Sequence, residues 1–266
     1  MSEFALVYTF ERDAGMPMPQ PDAVVSALQG VVTPAECSGF DVYVPHPEHD
    51  RFDFFRDGAP PLVIVECRAH SLPALERYAG DARLQAALDH IACAPSGGHD
   101  VALGRWRAGI FRVECELAAT PQQAAAAALA LVVHYYGPVD DADAFVAHYV
   151  ANHPPLLARL PAVRDVRCYV PAAAAPTGVA GLADLAADPA IIRNEVWFDS
   201  MDALLESLRS PVVAEMRADA RAFARYGHAT HYPMRRIRLA GAARSPDNGR
   251  ALSASDRPRA FDEGST

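Results

Sequence analysis

Apolar and polar positions alternate with period two along several short stretches, and each reads as a β-strand. Ala5 to Glu11 (ALVYTFE) opens the chain in this way, and Phe40 to Val44 is a strand that stops at Pro45. Pro61 to Arg68 (PLVIVECR) is a continuous apolar run, the pattern of a strand buried on both faces. Trp106 to Leu117 alternates again. Segments of helical period lie between them: Asp22 to Gln29 with Asp22 as N-cap and Gly30 as stop, a helix capped by Ser71 with Pro73 in its first turn, and Ala82 to Ala92 before a Gly-rich turn. Gly15 to Pro21 is loop by its prolines, and His46 to Gly58 is a loop or a ragged edge strand.

The same order recurs in the second half. Leu129 to Tyr136 is a strand, Asp141 to Asn152 a helix with Asp140 or Asp141 as cap, and Val166 to Val170 a strand. Ala172 to Pro189 is a small-residue loop with a weak helical turn, and Arg193 to Phe198 is a strand. Ser200 caps the helix Met201 to Leu208, a further helix spans Val212 to Tyr226, and Thr230 to Leu239 is the closing strand. Three matches tie the halves together. ALVYTFE (5–11) lies against LVVHYYG (131–137) and VYVP (42–45) against CYVP (168–171), both at an offset of 126; SLPALERY (71–78) lies against SMDALLES (200–207) at 129. So long a period means a duplicated β-α-β-β-α-β unit, not a solenoid. Each unit leaves one sheet face bare, and two such faces cover each other. The expected fold class is α+β: two ferredoxin-like βαββαβ repeats, residues 1–118 and 127–240, forming one pseudo-dimeric α+β barrel. Residues 241–266 are polar and aperiodic and read as a disordered tail.

Composition narrows the chemistry. All 24 basic residues are arginine, so Schiff-base, pyridoxal-phosphate and P-loop lysine chemistry are excluded. A net charge of -9 without a basic stripe argues against nucleic acid as partner. No apolar run approaches the ~20 residues of a membrane helix, and MSEFALVYTFE lacks the basic segment of a signal peptide. A cytoplasmic protein without membrane contact is the expectation. Five widely spaced cysteines with no C-x-x-C pair suggest neither structural zinc nor a disulfide framework, but small core residues.

The run Phe145-x-x-His148-Tyr149-x-x-x-His153-x-Pro155-Leu156, followed by Leu160-Pro161 and Tyr169-Val170-Pro171, resembles the EthD family of the dimeric α+β barrel superfamily. Asn194-Glu195-Val196-Trp197-Phe198-Asp199-Ser200, then Ala203-Leu204 and Ser210-Pro211, looks like the same family's third strand and second helix. The likeness reaches the first half only through the internal repeat, and residues 12–60 depart from it. It implies paired ferredoxin-like units and small organic ligands held between sheet and helices. Relatives include cofactor-independent oxygenases, lactone isomerases, dehydratases, polyketide cyclases and haem-binding enzymes, so the resemblance leaves the reaction open.

Three residues are candidate catalytic groups. His153 precedes Pro154, which disfavours helical geometry and predicts that the helix ends there. An imidazole at a helix C-terminus is favoured in its protonated form, as general acid or as a plain cap. His134 interrupts the apolar VVHYY on the face of Val132 and Tyr136, opposite Val133 and Tyr135, with Tyr8 as its first-half counterpart. It reads as a general base or as a hydrogen-bonded core histidine. Tyr149, one turn before His153, orients a ligand or packs. Tyr136, Tyr169, Trp197 and His231 are candidate substrate-binding residues, with His228 on the strand face opposite His231. His46-x-x-His49-Asp50 offers ligand types for a metal without a third partner at a recognisable spacing, and no metal site is assigned.

The resulting expectation is an enzyme without a cofactor that moves a proton on a small aromatic or keto compound in a second-half pocket. His153 serves as acid and His134 as base. Two alternatives stand beside it: a haem-binding or cofactor-independent oxygenase relative, and a non-catalytic small-ligand-binding or stress-response module, which gains weight if side chains fill the pocket. A chain that closes its own barrel does not need a homodimer, though it can form one.

Overall fold

The computed structural model describes residues 2–12, 21–29, 31, 36–55, 57, 59–96, 99–102, 104–117, 127–172 and 185–238; the expected tail lies outside them. The first repeat comprises β1 (Phe4–Arg12), α1 (Pro21–Gln29), β2 (Cys37–Pro45), β3 (Val63–Ala69), α2 (Leu72–Ala79), α3 (Ala82–Ala92), a hairpin of β4 (Cys93–Ser96) and β5 (His99–Ala102), and β6 (Gly104–Glu116). The second comprises β7 (Leu129–Tyr136), α4 (Ala142–Leu157), β8 (Asp165–Pro171), the short β9 (Ala186–Ala187), β10 (Ala190–Phe198), α5 (Met201–Ser207), α6 (Val212–Ala220) and β11 (His228–Arg238).

Strands run β1-β3-β2-β11-β7-β10-β8-β6 around the sheet, and β6 returns to pair with β1, closing a barrel of antiparallel neighbours. Within each repeat the four main strands stand in the order fourth, first, third, second, which is the ferredoxin-like arrangement. Both seams are of one kind: the second strand of one repeat meets the last strand of the other, β2 on β11 and β8 on β6. Closure leaves few open strand edges.

Alternation along each strand divides the core into three compartments. Leu6, Tyr8, Phe10, Val65 and Cys67 face the helices of the first repeat. Leu131, Val133, Tyr135, Val196 and Phe198 face those of the second. Val7, Tyr43, Ile64, Phe111, Val132, Tyr169, Trp197 and Met234 meet inside the barrel. The segment after β2 crosses between repeats. Phe52 packs into the second repeat's helix-side core, Arg51 pairs with Asp202, and Arg209 lies 5.8 Å over the Phe54 ring.

The barrel interior also carries charge. Arg193 reaches Glu66 at 2.8 Å and Glu195 at 2.6 Å, all three fully buried. The Tyr43 and Tyr169 hydroxyls donate to Glu195 at 2.9 and 3.0 Å. Arg236 pairs with Asp41 at 2.9 Å, and the Trp197 ring lies between Arg236 at 3.7 Å and Arg167 at 4.3 Å.

Strand pairing corrects the repeat alignment. Val7 lies opposite Glu66 and Val132 opposite Glu195, so the first strands correspond at an offset of 125, not 126. The counterpart of His134 is therefore Thr9, and Tyr8 faces the helices instead. A slip of one residue exchanges the two faces of a strand, which is why a similarity of letters misplaced it. Two element boundaries also differ. The β4–β5 hairpin stands where only a turn was expected, and α6 ends at Ala220 rather than Tyr226. Past that end the chain turns inward and delivers Phe223 and Tyr226 to the second helix-side core, whose burial outweighs continuing the helix.

Candidate functional site

α4 begins at Asp141, whose carboxylate accepts the Ala144 N–H at 2.9 Å, and continues through Pro154 and Pro155 to Leu157. His153 thus sits in the body of the helix and not at its end, which corrects the reading from Pro154. The prolines remove two backbone donors, yet Pro154 is buried on the inner face of α4 and packing overrides the local preference. The Ala158 N–H closes the last turn on the Pro154 carbonyl at 2.9 Å.

His153 is 5% exposed, and its Nδ1 lies 2.8 Å from Oδ2 of Asp219 on α6. The other oxygen of Asp219 meets His148 Nε2 at 2.9 Å. On β11, opposite Val133 and so on the same helix-facing side, His231 repeats the arrangement. Its Nδ1 lies 2.9 Å from Oδ2 of Asp57, which also accepts the His231 backbone N–H at 2.7 Å. Asp57 comes from the first repeat and Asp219 from the second, so both copies build the site. Beside an ionised carboxylate a neutral imidazole donates through Nδ1 and leaves Nε2 as the basic nitrogen. Burial lowers the pKa of both histidines below 6.5 against the opposing pull of their aspartates, and His153 depresses His231 further. Burial thus favours the neutral form of both imidazoles. Burial and the place of His153 within the helix both work against the protonated form expected of an imidazole at a helix C-terminus.

Aromatic rings surround the two pairs. Tyr135, Phe145, Tyr149, Phe223 and Tyr226 form one cluster with neighbouring centroids 5.0–6.4 Å apart. Tyr149 and Phe223 approach His153 at 4.8 and 5.4 Å, and Phe55 stacks on His231 at 3.7 Å. The Tyr149 hydroxyl accepts from Asn194 Nδ2 at 2.8 Å, and burial pushes its pKa far up. Much of the space expected beneath α4 is thus occupied by side chains.

His134 lies on the other side of the sheet. It shares the barrel interior with Val132 and Tyr136, so the sheet itself separates it from His153 and the two cannot act as one acid–base pair. His134 Nδ1 lies 3.0 Å from the Tyr136 hydroxyl, while its Nε2 makes no hydrogen bond among the described residues. Burial, then the charge of Arg193, lowers its pKa to about 3. Tyr169 and Trp197 are held in the interior charge network and do not line a space with His153. Tyr136 stacks on His228 at 4.8 Å and both line a cavity of about 530 Å³ at the barrel mouth, with Glu11, Asp57, Arg107 and Tyr232. Asp57 therefore belongs to this cavity and to the His231 pair at once. In the first-half loop, His49 is bound to the His46 carbonyl at 2.9 Å. Among the described residues no group of three His, Cys, Asp or Glu side chains is arranged to hold a metal ion, and no helix is long and apolar enough to cross a membrane.

Residues 140–251 match the EthD domain. An anthrone oxidase-like protein of solved structure is 15% identical, with a TM-score of 0.52 over 91% of this chain and 96% of its own. A monooxygenase candidate from Fusobacterium nucleatum subsp. nucleatum is 10% identical, with a TM-score of 0.52 over 90% of this chain and 93% of its own. An EthD family protein from Bacillus halodurans C-125 is 22% identical over 40% of this chain and 95% of its own, with a TM-score of 0.32. Among curated proteins none matches. The first two likenesses show the fold, a dimeric-type α+β barrel within one chain, and not an activity.

Proposed function

We propose, from the match of residues 140–251 to the EthD domain and the geometry of the paired histidines, that the protein is an acid–base enzyme acting on a small, flat aromatic or keto compound. One observation carries the reading: two imidazoles, each held by its own carboxylate at 2.8–2.9 Å, lie on one face of the second sheet. An imidazole whose Nδ1–H is fixed on a carboxylate presents a basic Nε2 and is stabilised once it takes a proton. His153 removes a proton from carbon next to a carbonyl, Asp219 supports the imidazolium that forms, and His231 with Asp57 serves the second proton transfer. Phe55 and Phe223 favour a planar apolar substrate. The mouth cavity does not include His153 or His231 in its lining; it reaches the pair only through Asp57, the carboxylate that holds His231, and its size falls within the range of small-molecule sites. The chemistry requires no redox cofactor.

The test is deuterium incorporation from D2O into aryl ketones and 1,3-dicarbonyl compounds, followed by NMR. The native chain should exchange the α-proton, with the rate about 100-fold or more lower in His153→Gln, the size of a general-base effect. Exchange that persists unchanged in that variant, or none across the panel, sinks the reading. The filled space under α4 favours a second reading, a module that binds without turnover. In that case the native chain binds members of the panel and exchanges none.

A further inference from the structure

The dispersed cysteines come together in the fold. The four whose side chains are described form two cross-strand neighbours, Cys37 with Cys67 and Cys115 with Cys168. Cys37 begins β2 and Cys67 lies in β3; a register irregularity between Cys37 and Gly39 brings Cys37 onto the same side as Cys67. Their sulfurs are 3.0 Å apart, against about 2.05 Å in a covalent S–S bond. Both are free thiols, Cys67 buried and Cys37 half-buried.

We propose that Cys37 and Cys67 form an oxidisable dithiol that hydrogen peroxide converts to an intramolecular disulfide tying β2 to β3. The two sulfurs are not equivalent. The thiol of Cys67 hydrogen-bonds to Cys37 and lowers the Cys37 pKa, whereas the same contact and burial raise that of Cys67. Cys37, the more accessible, is the attacking sulfur. Its thiolate attacks one peroxide oxygen, the O–O bond breaks, and the hydroxide leaving takes a proton to become water. The Cys67 sulfur then attacks the sulfenic sulfur of Cys37, the S–O bond breaks, and the departing hydroxide takes the Cys67 proton as a second water. Two thiols are oxidised and one peroxide is reduced. Within the first repeat the bond closes a loop and constrains the unfolded chain, so the oxidised protein melts higher.

The experiment treats the full chain with hydrogen peroxide, alkylates remaining thiols with iodoacetamide and maps the peptides by mass. The expected product is one cross-linked pair holding Cys37 and Cys67, two hydrogens lighter than the dithiol. It should be reopened by dithiothreitol and accompanied by a reversible rise in melting temperature. In Cys67→Ser, where no resolving thiol remains, dimedone should trap a sulfenic acid on Cys37, and the native chain should show far less of that adduct. Alkylation of both Cys37 and Cys67 after peroxide treatment, or a cross-link confined to Cys115 and Cys168, overturns the proposal. The mapping of the native chain decides this whether or not the variant folds.

Discussion

The Asp219 carboxylate holds two histidines 71 and 66 residues away in sequence, and its effect on His153 has a definite sign. Burial lowers the His153 pKa and Asp219 raises it. Replacing Asp219 by Asn keeps the shape and removes the charge, so the His153 pKa should fall further and the imidazole should become a weaker base. Titration of the His153 ring resonances by NMR checks this, and an unchanged midpoint would detach the aspartate from the site. His153 itself was legible because it sits in a family-like motif. Asp219 was not, because nothing in its own neighbourhood of sequence marks it, and its contact exists only once α6 packs on α4. Asp57 was further out of reach, since it arrives from the other repeat. His134 shows the complementary limit: alternation assigned its neighbours on the strand but not which face of the sheet covers the interior.

Elements were more readable than their partners. β7 and α3 follow the bounds that period and punctuation set, Leu129–Tyr136 and Ala82–Ala92. The α4 start was legible to within the choice of Asp140 or Asp141 as cap, which the structure gives to Asp141, and its end was not, because tertiary packing carries the helix past two prolines. The cap gives a prediction at this scale. Asp141→Ala removes the acceptor of the Ala144 N–H and should cost about 1 kcal/mol. A shift in the urea midpoint at constant slope checks it. Loss of the aromatic cluster's near-ultraviolet signal well before global unfolding would mean instead that α4 docks independently of its cap. Register is the property that a string of residues conveys least. A match at 126 and a true correspondence at 125 differ by one position and by every side chain's compartment.

At the scale of the whole molecule, the barrel interior places two titrating groups of opposite sense in one buried space. His134 has its pKa lowered to about 3 from 6.5, and Glu66 has its pKa raised to about 7 from 4.5, chiefly by burial and then by Glu195, against the pull of Arg193. Below pH 6.5 the unfolded chain protonates this histidine and the folded chain does not, so its contribution to stability is full above 6.5 and declines as pH falls toward 3. Glu66 works the other way. Between pH 4.5 and 7 the folded chain holds a proton there that the unfolded chain has released, so stability declines as pH rises through that window. Each slope is limited to about 1.4 kcal/mol per pH unit. Between pH 4.5 and 6.5 the two nearly cancel, and below 4.5 only the histidine loss remains. Urea unfolding of the native chain, His134→Asn and Glu66→Gln at intervals from pH 4 to 7.5 separates them. Relative to the native chain, the His134→Asn variant should gain stability as pH falls below 6.5, and Glu66→Gln should gain it as pH rises above 4.5. Parallel profiles would show that water reaches the interior and that the barrel is not the closed, shared core on which the two-repeat architecture depends.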